Sequence, residues 1–92
     1  MANAVRTLPK DGTWVELTAG SAPASAFNFD NQGPASIFVQ YNKTAAPAAT
    51  EFGTTFKPGQ GDRPTVLSRV WARVELASAL HGSPAEVFVN ID

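Results

Sequence analysis

The chain has 92 residues, 43% of them hydrophobic and 16% charged, with a net charge of −1 at pH 7. That length accommodates one domain, and the charge balance excludes the basic surface that nonspecific nucleic-acid binding needs. Cysteine is absent and His81 is the one histidine, which removes disulfides, thiolate metal ligands, a thiol nucleophile and any histidine-built metal site or relay.

No apolar run approaches the ~20 residues of a membrane helix. Met1 to Arg6 lacks the apolar stretch of a secretion signal, so the product is expected to be made in a cytoplasm. The charged fraction is well below the roughly 25% of an average soluble domain, which leaves less of the surface defended against protein contact. A small domain without covalent staples is expected to gain rigidity by oligomerising or by docking on a larger surface.

Along the chain, residues 1–12 read as an extended arm ending at the Asp11-Gly12 turn, and 13–92 as one domain. The arm has few core candidates, so it either stays disordered or orders by adding a strand at an exposed sheet edge of a neighbour. Thr13 to Thr18 reads as a strand with Val15 and Leu17 on one face and Trp14 and Glu16 on the other. Ser25 to Asn31 places Phe27 and Phe29 inward, with Asn28 and Asp30 facing water. Asn31-Gln32-Gly33-Pro34 is a turn signal, and Ser36 to Asn42 follows with Ile37, Val39 and Tyr41 on one face. A turn that tight predicts an antiparallel hairpin of its two flanking strands.

Lys43 to Thr50 is irregular, and Phe52 to Lys57 is a short strand closed by Pro58-Gly59, which fits the central positions of a type II turn. Thr65 to Leu76 alternates Val66, Ser68, Val70, Ala72 and Val74 against Leu67, Arg69, Trp71, Arg73 and Glu75. A helix competes over Ser68 to Leu80, but the β-branched residues and the period of two favour a strand to about Glu75. Ala85 to Ile91 closes the domain with Val87, Val89 and Ile91 inward. Six to seven short strands at this spacing predict an all-β fold, a small antiparallel β-sandwich or barrel with an extended N-terminal arm.

Chemistry-bearing patterns are weak. Glu16 and Asp30 occupy outward strand positions and read as solvated acids rather than an acid/base pair. No Gly-x-Ser-x-Gly is present, and Gly59-Gln60-Gly61 lacks the third glycine and following helix of a phosphate loop. Asp30-Asn31 and Asp62 fall in different turns without a calcium-loop pattern. Asn42-Lys43-Thr44 is a chance glycosylation sequon. No catalytic residue, metal or cofactor is expected. The informative feature is the second face of the strands, where Trp14, Phe38, Leu67, Trp71 and Phe88 stand among Arg69 and Arg73. Either an overlying loop covers these rings, or they form an intermolecular surface of the composition typical of interface anchors. Arg69 and Arg73 flank Trp71, so cation–π contact with its ring is expected.

Thr13-Trp14-Val15-Glu16-Leu17, Phe27-Asn28-Phe29-Asp30-Asn31-Gln32-Gly33, Phe56-Lys57-Pro58-Gly59, and Val70-Trp71-Ala72-Arg73 before a terminal Val-Phe-Val strand occur in that order. In this order of short motifs the chain resembles small accessory virion proteins of tailed bacteriophages, over about residues 13–91. The resemblance implies a non-enzymatic structural protein of the virion. The first expectation is a capsid decoration or cement protein, a homo-oligomer with a trimer favoured, bound to the major capsid protein. The alternatives are a tail, baseplate or fibre-base component, and a carbohydrate-binding module that stacks sugars on Trp14, Trp71 or Tyr41. The stretch Glu75 to Gly82 is longer than a tight hairpin needs and leaves the last strand's register open.

Overall fold

Alternating apolar and polar side chains give each strand one face to bury, and two sheets meeting on those faces close the core. The computed structural model describes residues 2–18, 27–48, 50–66, 68–75 and 84–91. These form eight strands: β1 (Ala2–Leu8), β2 (Val15–Glu16), β3 (Phe27–Pro34), β4 (Ile37–Gln40), β5 (Thr54–Phe56), β6 (Gly61–Asp62), β7 (Trp71–Val74) and β8 (Ala85–Ile91). Among the described residues there is no helix. One sheet runs β1-β8-β3-β6 and the other β2-β7-β4-β5, with every pairing antiparallel. The all-β expectation holds in its sandwich form, with eight strands in place of six or seven.

The inward parity is as the sequence predicts. Phe27, Phe29, Val87 and Val89 from the first sheet meet Leu17, Ile37, Val39, Val70, Ala72 and Val74 from the second, all of them buried. Phe56 closes one side of this core, its ring edge-on to Phe29 at 5.0 Å between centroids.

Four expectations on the path of the chain are corrected. The predicted hairpin of the second and third strands does not form, because β3 and β4 lie in different sheets. Asn31 to Pro34 is not a tight turn. The ladder to β8 continues through it, with an irregularity between Asn31 and Gly33, as far as Pro34 opposite Ala85. The chain then crosses to the other sheet at Ala35 and Ser36, where the Glu75 N–H donates to the Ser36 carbonyl at 2.8 Å.

The N-terminal segment is also different. Ala2 to Leu8 pairs residue for residue with β8 of its own chain, Ala2 with Ile91 through Leu8 with Ala85. It adds a strand at a sheet edge as expected, but intramolecularly. The pairing is a main-chain ladder, and among the described side chains of β1 Leu8 alone is fully buried. The long seventh strand is shorter than predicted, covering Trp71–Val74 only. Leu67, His81 and the part of the competing Ser68 to Leu80 helix that lies beyond Glu75 fall outside the described residues.

Consecutive strands otherwise alternate between the sheets, with one exception. β4 and β5 are neighbours in the same sheet, joined by residues 41–53. That connection shapes the surface described next.

Candidate interaction surface

The outer face of the β2-β7-β4-β5 sheet carries Glu16, Trp71 and Gln40 in one cross-strand row and Arg73 and Phe38 in the next. This row structure follows from strand parity, since the inward partners are Val70, Ala72, Val74, Ile37 and Val39. Of the two states that the sequence allows for these rings, the structure shows them covered in large part. The β4–β5 connection folds over the face, and side chains of the sheet donate to its carbonyls. Trp71 Nε1 donates to Lys43 O at 3.0 Å, Trp14 Nε1 to Ala48 O at 3.0 Å, Arg69 Nη1 to Thr44 O at 2.7 Å and Gln40 Nε2 to Phe52 O at 2.6 Å. An irregular loop carries polar backbone that must be satisfied somewhere, and here the sheet satisfies it.

Two guanidinium groups stack on the two indoles. Arg69 lies over Trp71 at 5.4 Å, and Arg73 lies over Trp14 at 5.6 Å. The contact expected with Trp71 forms through Arg69, while Arg73 serves the second indole, Trp14. Arg69 also pairs with Glu16 at 3.0 Å, and Glu16 accepts from the Thr18 hydroxyl at 2.7 Å. Trp14 and Arg73 each retain 8% exposure, so neither offers a free ring or charge to a partner. Trp71, Arg69 and Phe38 are half-buried.

Phe88 departs from the group. It sits on β8 in the other sheet, between Val5 of β1 and Asp30 of β3, and so faces the opposite side of the sandwich. Phe52, read from the sequence as a strand residue, is the outstanding apolar side chain of the covering loop at 73% exposure. Its ring stands edge-on to Phe38 at 5.5 Å. Glu51 fixes the loop beside it, accepting from the Ala48 N–H at 2.6 Å and from Gln40. Those bonds, the Ala48 one foremost, hold the Glu51 carboxyl below its ordinary pKa.

Other polar groups are absorbed structurally. Glu16 and Asp30 lie on different sheets and share no site. The Tyr41 hydroxyl donates to Asp62 at 2.9 Å, and burial first, then the Asp62 carboxylate, raises its pKa well above the ordinary tyrosine value. A depression of about 280 Å³ lies beside it, lined by Asn28, Phe29, Asp30, Gly61, Asp62 and Arg63. Among the described residues no group of three or more His, Cys, Asp or Glu could hold a metal ion.

Sequence reasoning missed one residue that organises the whole corner. Asn31 is fully buried. Its Nδ2 donates to Ala35 O and Phe56 O, both at 3.0 Å, and its Oδ1 accepts from the Gly33 N–H at 2.9 Å. Its backbone pairs with Gln60 and Gly59. The available signal was parity, because Asn31 follows Phe27 and Phe29 on the inward side. No protein-family model matches this chain, and no curated protein or solved structure matches it.

Proposed function

We propose that this sandwich is a non-enzymatic structural component of a phage particle, a decoration or cement protein that binds the capsid shell by protein–protein contact as a homo-oligomer. Phe52 is the observation that carries the binding part of this reading. A solvent-exposed aromatic ring on a loop tied down by Trp14, Arg69, Trp71 and Gln40 is preorganised, so docking it loses little conformational entropy. Placement on a shell rests on the sequence resemblance, with a tail or baseplate location as the alternative. Sugar stacking is disfavoured by the Arg69 guanidinium lying over the Trp71 ring and by the near-complete burial of Trp14.

The test is reconstitution of the purified chain onto shells that lack it. Wild type is expected to bind in hundreds of copies and to raise the temperature at which the particles release DNA. Phe52→Ala is expected to bind about tenfold more weakly or worse, equivalent to about 1.4 kcal/mol. Equal binding by the variant would remove Phe52 from the interface. A purified particle carrying only a few copies would move the protein to the tail.

A further inference from the structure

Among the described residues both sheets are open, and an open edge is a row of unpaired N–H and C=O groups that another chain can join. Three of the four edges are short: β2 and β6 have two residues each and β5 has three. Short edge strands are a common protection against such joining. β1 is different. It spans seven residues, pairs with β8 without a bulge, and among the described residues no strand pairs with its other edge. It contains no proline, glycine or lysine. At its centre Val5 is 54% exposed.

We propose that β1 pairs with β1 of a second copy of this chain, antiparallel across a two-fold axis at Val5, fusing two four-stranded sheets into one continuous sheet. The register follows from parity and length. Complete overlap pairs Ala2 with Leu8 of the second copy, which puts Val5 opposite itself. In that register the outward Val5 meets an outward Val5 and the inward Ala4 meets an inward Arg6, as cross-strand partners must. A slip of one residue breaks this match. A two-fold at Arg6 would shorten the overlap and set like charges opposite each other. With the axis at Val5, Arg6 faces the small Ala4 of the second copy. Arg6 is the inward-pointing charge on this edge, half-buried, and its Nε–H donates to no acceptor among the described residues.

The outer face supports the same axis. Val5 is in register with Phe88, so the join makes a row Phe88–Val5–Val5–Phe88 running unbroken across the two copies. The strand is self-complementary, and a closed two-fold consumes the long edge in a finite assembly. This inference goes beyond the shell-binding reading and does not depend on it.

Because the chain has no cysteine, Val5→Cys creates its sole thiol. Opposed residues in an antiparallel pair lie about 4.5–5.5 Å apart between Cα atoms, inside the range of about 4.4–6.8 Å that a disulfide spans. Thr7→Cys is the control, since its two copies would sit about 14 Å apart along the strands. Mild oxidation of the purified chain is expected to link Val5→Cys into dimers much faster than Thr7→Cys. Wild type is expected to sediment as a dimer. Val5→Asp, at an exposed position, is expected to keep its circular dichroism spectrum and to dissociate at about tenfold higher concentration or more. A monomeric wild type overturns the proposal, as does a dimer whose Val5→Cys links no faster than the control. Linking of Val5→Cys only to a shell protein would assign the edge to a foreign strand and equally overturn it. All of these arms except the last use the chain alone, so a failure to bind shells leaves them unaffected.

Discussion

Asn31→Ala is expected to destabilise the fold by about 3 kcal/mol. The side chain makes three hydrogen bonds, to Ala35 O, Phe56 O and from the Gly33 N–H, and a typical net hydrogen bond contributes about 1 kcal/mol. The bonds to Ala35 O and from the Gly33 N–H are buried, so water does not readily reach those two orphaned groups to offset the loss, which makes the sum a lower figure. A small domain has only about 5–15 kcal/mol in total, so about a fifth or more of the stability resides in one amide. The assay is urea unfolding followed by tryptophan fluorescence. With a slope of about 1 kcal/mol/M for a domain of this size, the midpoint falls by roughly 3 M. Asn31→Leu, which keeps the volume, is expected to lose a similar amount, whereas a packing role would make it nearly neutral. Asn31→Asp retains the acceptor for Gly33 but turns a carboxyl oxygen toward two carbonyls, and is expected to be no better than alanine at pH 7. A midpoint shift below about 0.5 M for Asn31→Ala, at unchanged slope, would refute the assignment of Asn31 as the pin of this corner.

The Arg69–Glu16 pair, at 3.0 Å and half-buried, is expected to show a coupling of about 1 kcal/mol in a Glu16→Gln/Arg69→Met double-mutant cycle, measured by chemical unfolding. Gly53→Ala places a methyl group onto the backbone of Val39 and is expected to lower the thermal midpoint strongly. Gly59→Ala meets no atom but must hold a φ of +88°, so it is expected to cost only about 1 kcal/mol in the same measurement. Asp11, held below its ordinary pKa by the Thr13 hydroxyl and then the Thr13 N–H, and Glu51, held down chiefly by the Ala48 N–H, favour the folded state when ionised. Their contribution is complete above the unfolded carboxylate pKa of about 4 and is lost as pH falls through the lower folded values. Thermal midpoints are therefore expected to be level from pH 7 to 5 and to drop below about pH 4, less so in an Asp11→Asn/Glu51→Gln variant.

What was legible in the sequence was what parity controls. Phe27 and Phe29, Ile37 and Val39, Val70, Ala72 and Val74, and Val87 and Val89 all point inward as alternation requires. What was not legible depended on which strands pair. The Asn31-Gln32-Gly33-Pro34 signal is local, and a local signal does not distinguish a hairpin turn from a corner where the chain changes sheets. The inward parity of Asn31 was the contrary clue, since a polar residue on a core face needs buried partners. The N-terminal segment was hard to place for a different reason. Its hold on β8 is a backbone ladder, and backbone pairing leaves little mark on side-chain composition. Likewise Trp14, Trp71, Arg69 and Arg73 were visible as an aromatic and cationic face. Their partners include main-chain carbonyls of Lys43, Thr44 and Ala48, groups that every residue carries.

The β4–β5 connection explains both why that face exists and why it is not the open surface its composition suggests. Tight hairpin loops need about 2–5 residues, and residues 41–53 exceed that because the excess lies across the sheet. Tryptophan and arginine suit such a covered face, because each has a flat apolar body to bury and an N–H at its end to donate. A run of leucines would bury the same area but leave the loop carbonyls without donors, and lysines would reach them without covering the rings. The arrangement makes a second, small core on the outside of the sheet, fastened by hydrogen bonds in place of disulfides. It also sorts the candidate contacts. Trp14 and Arg73 are committed to the fold, whereas Phe52 on the outer side of the cover and Val5 on the far sheet stay exposed, which is why both proposals rest on those two residues. In a small cysteine-free domain the residue types that suit an interface are also the ones that hold the loop down, and Trp14, Arg69 and Trp71 are used that way here.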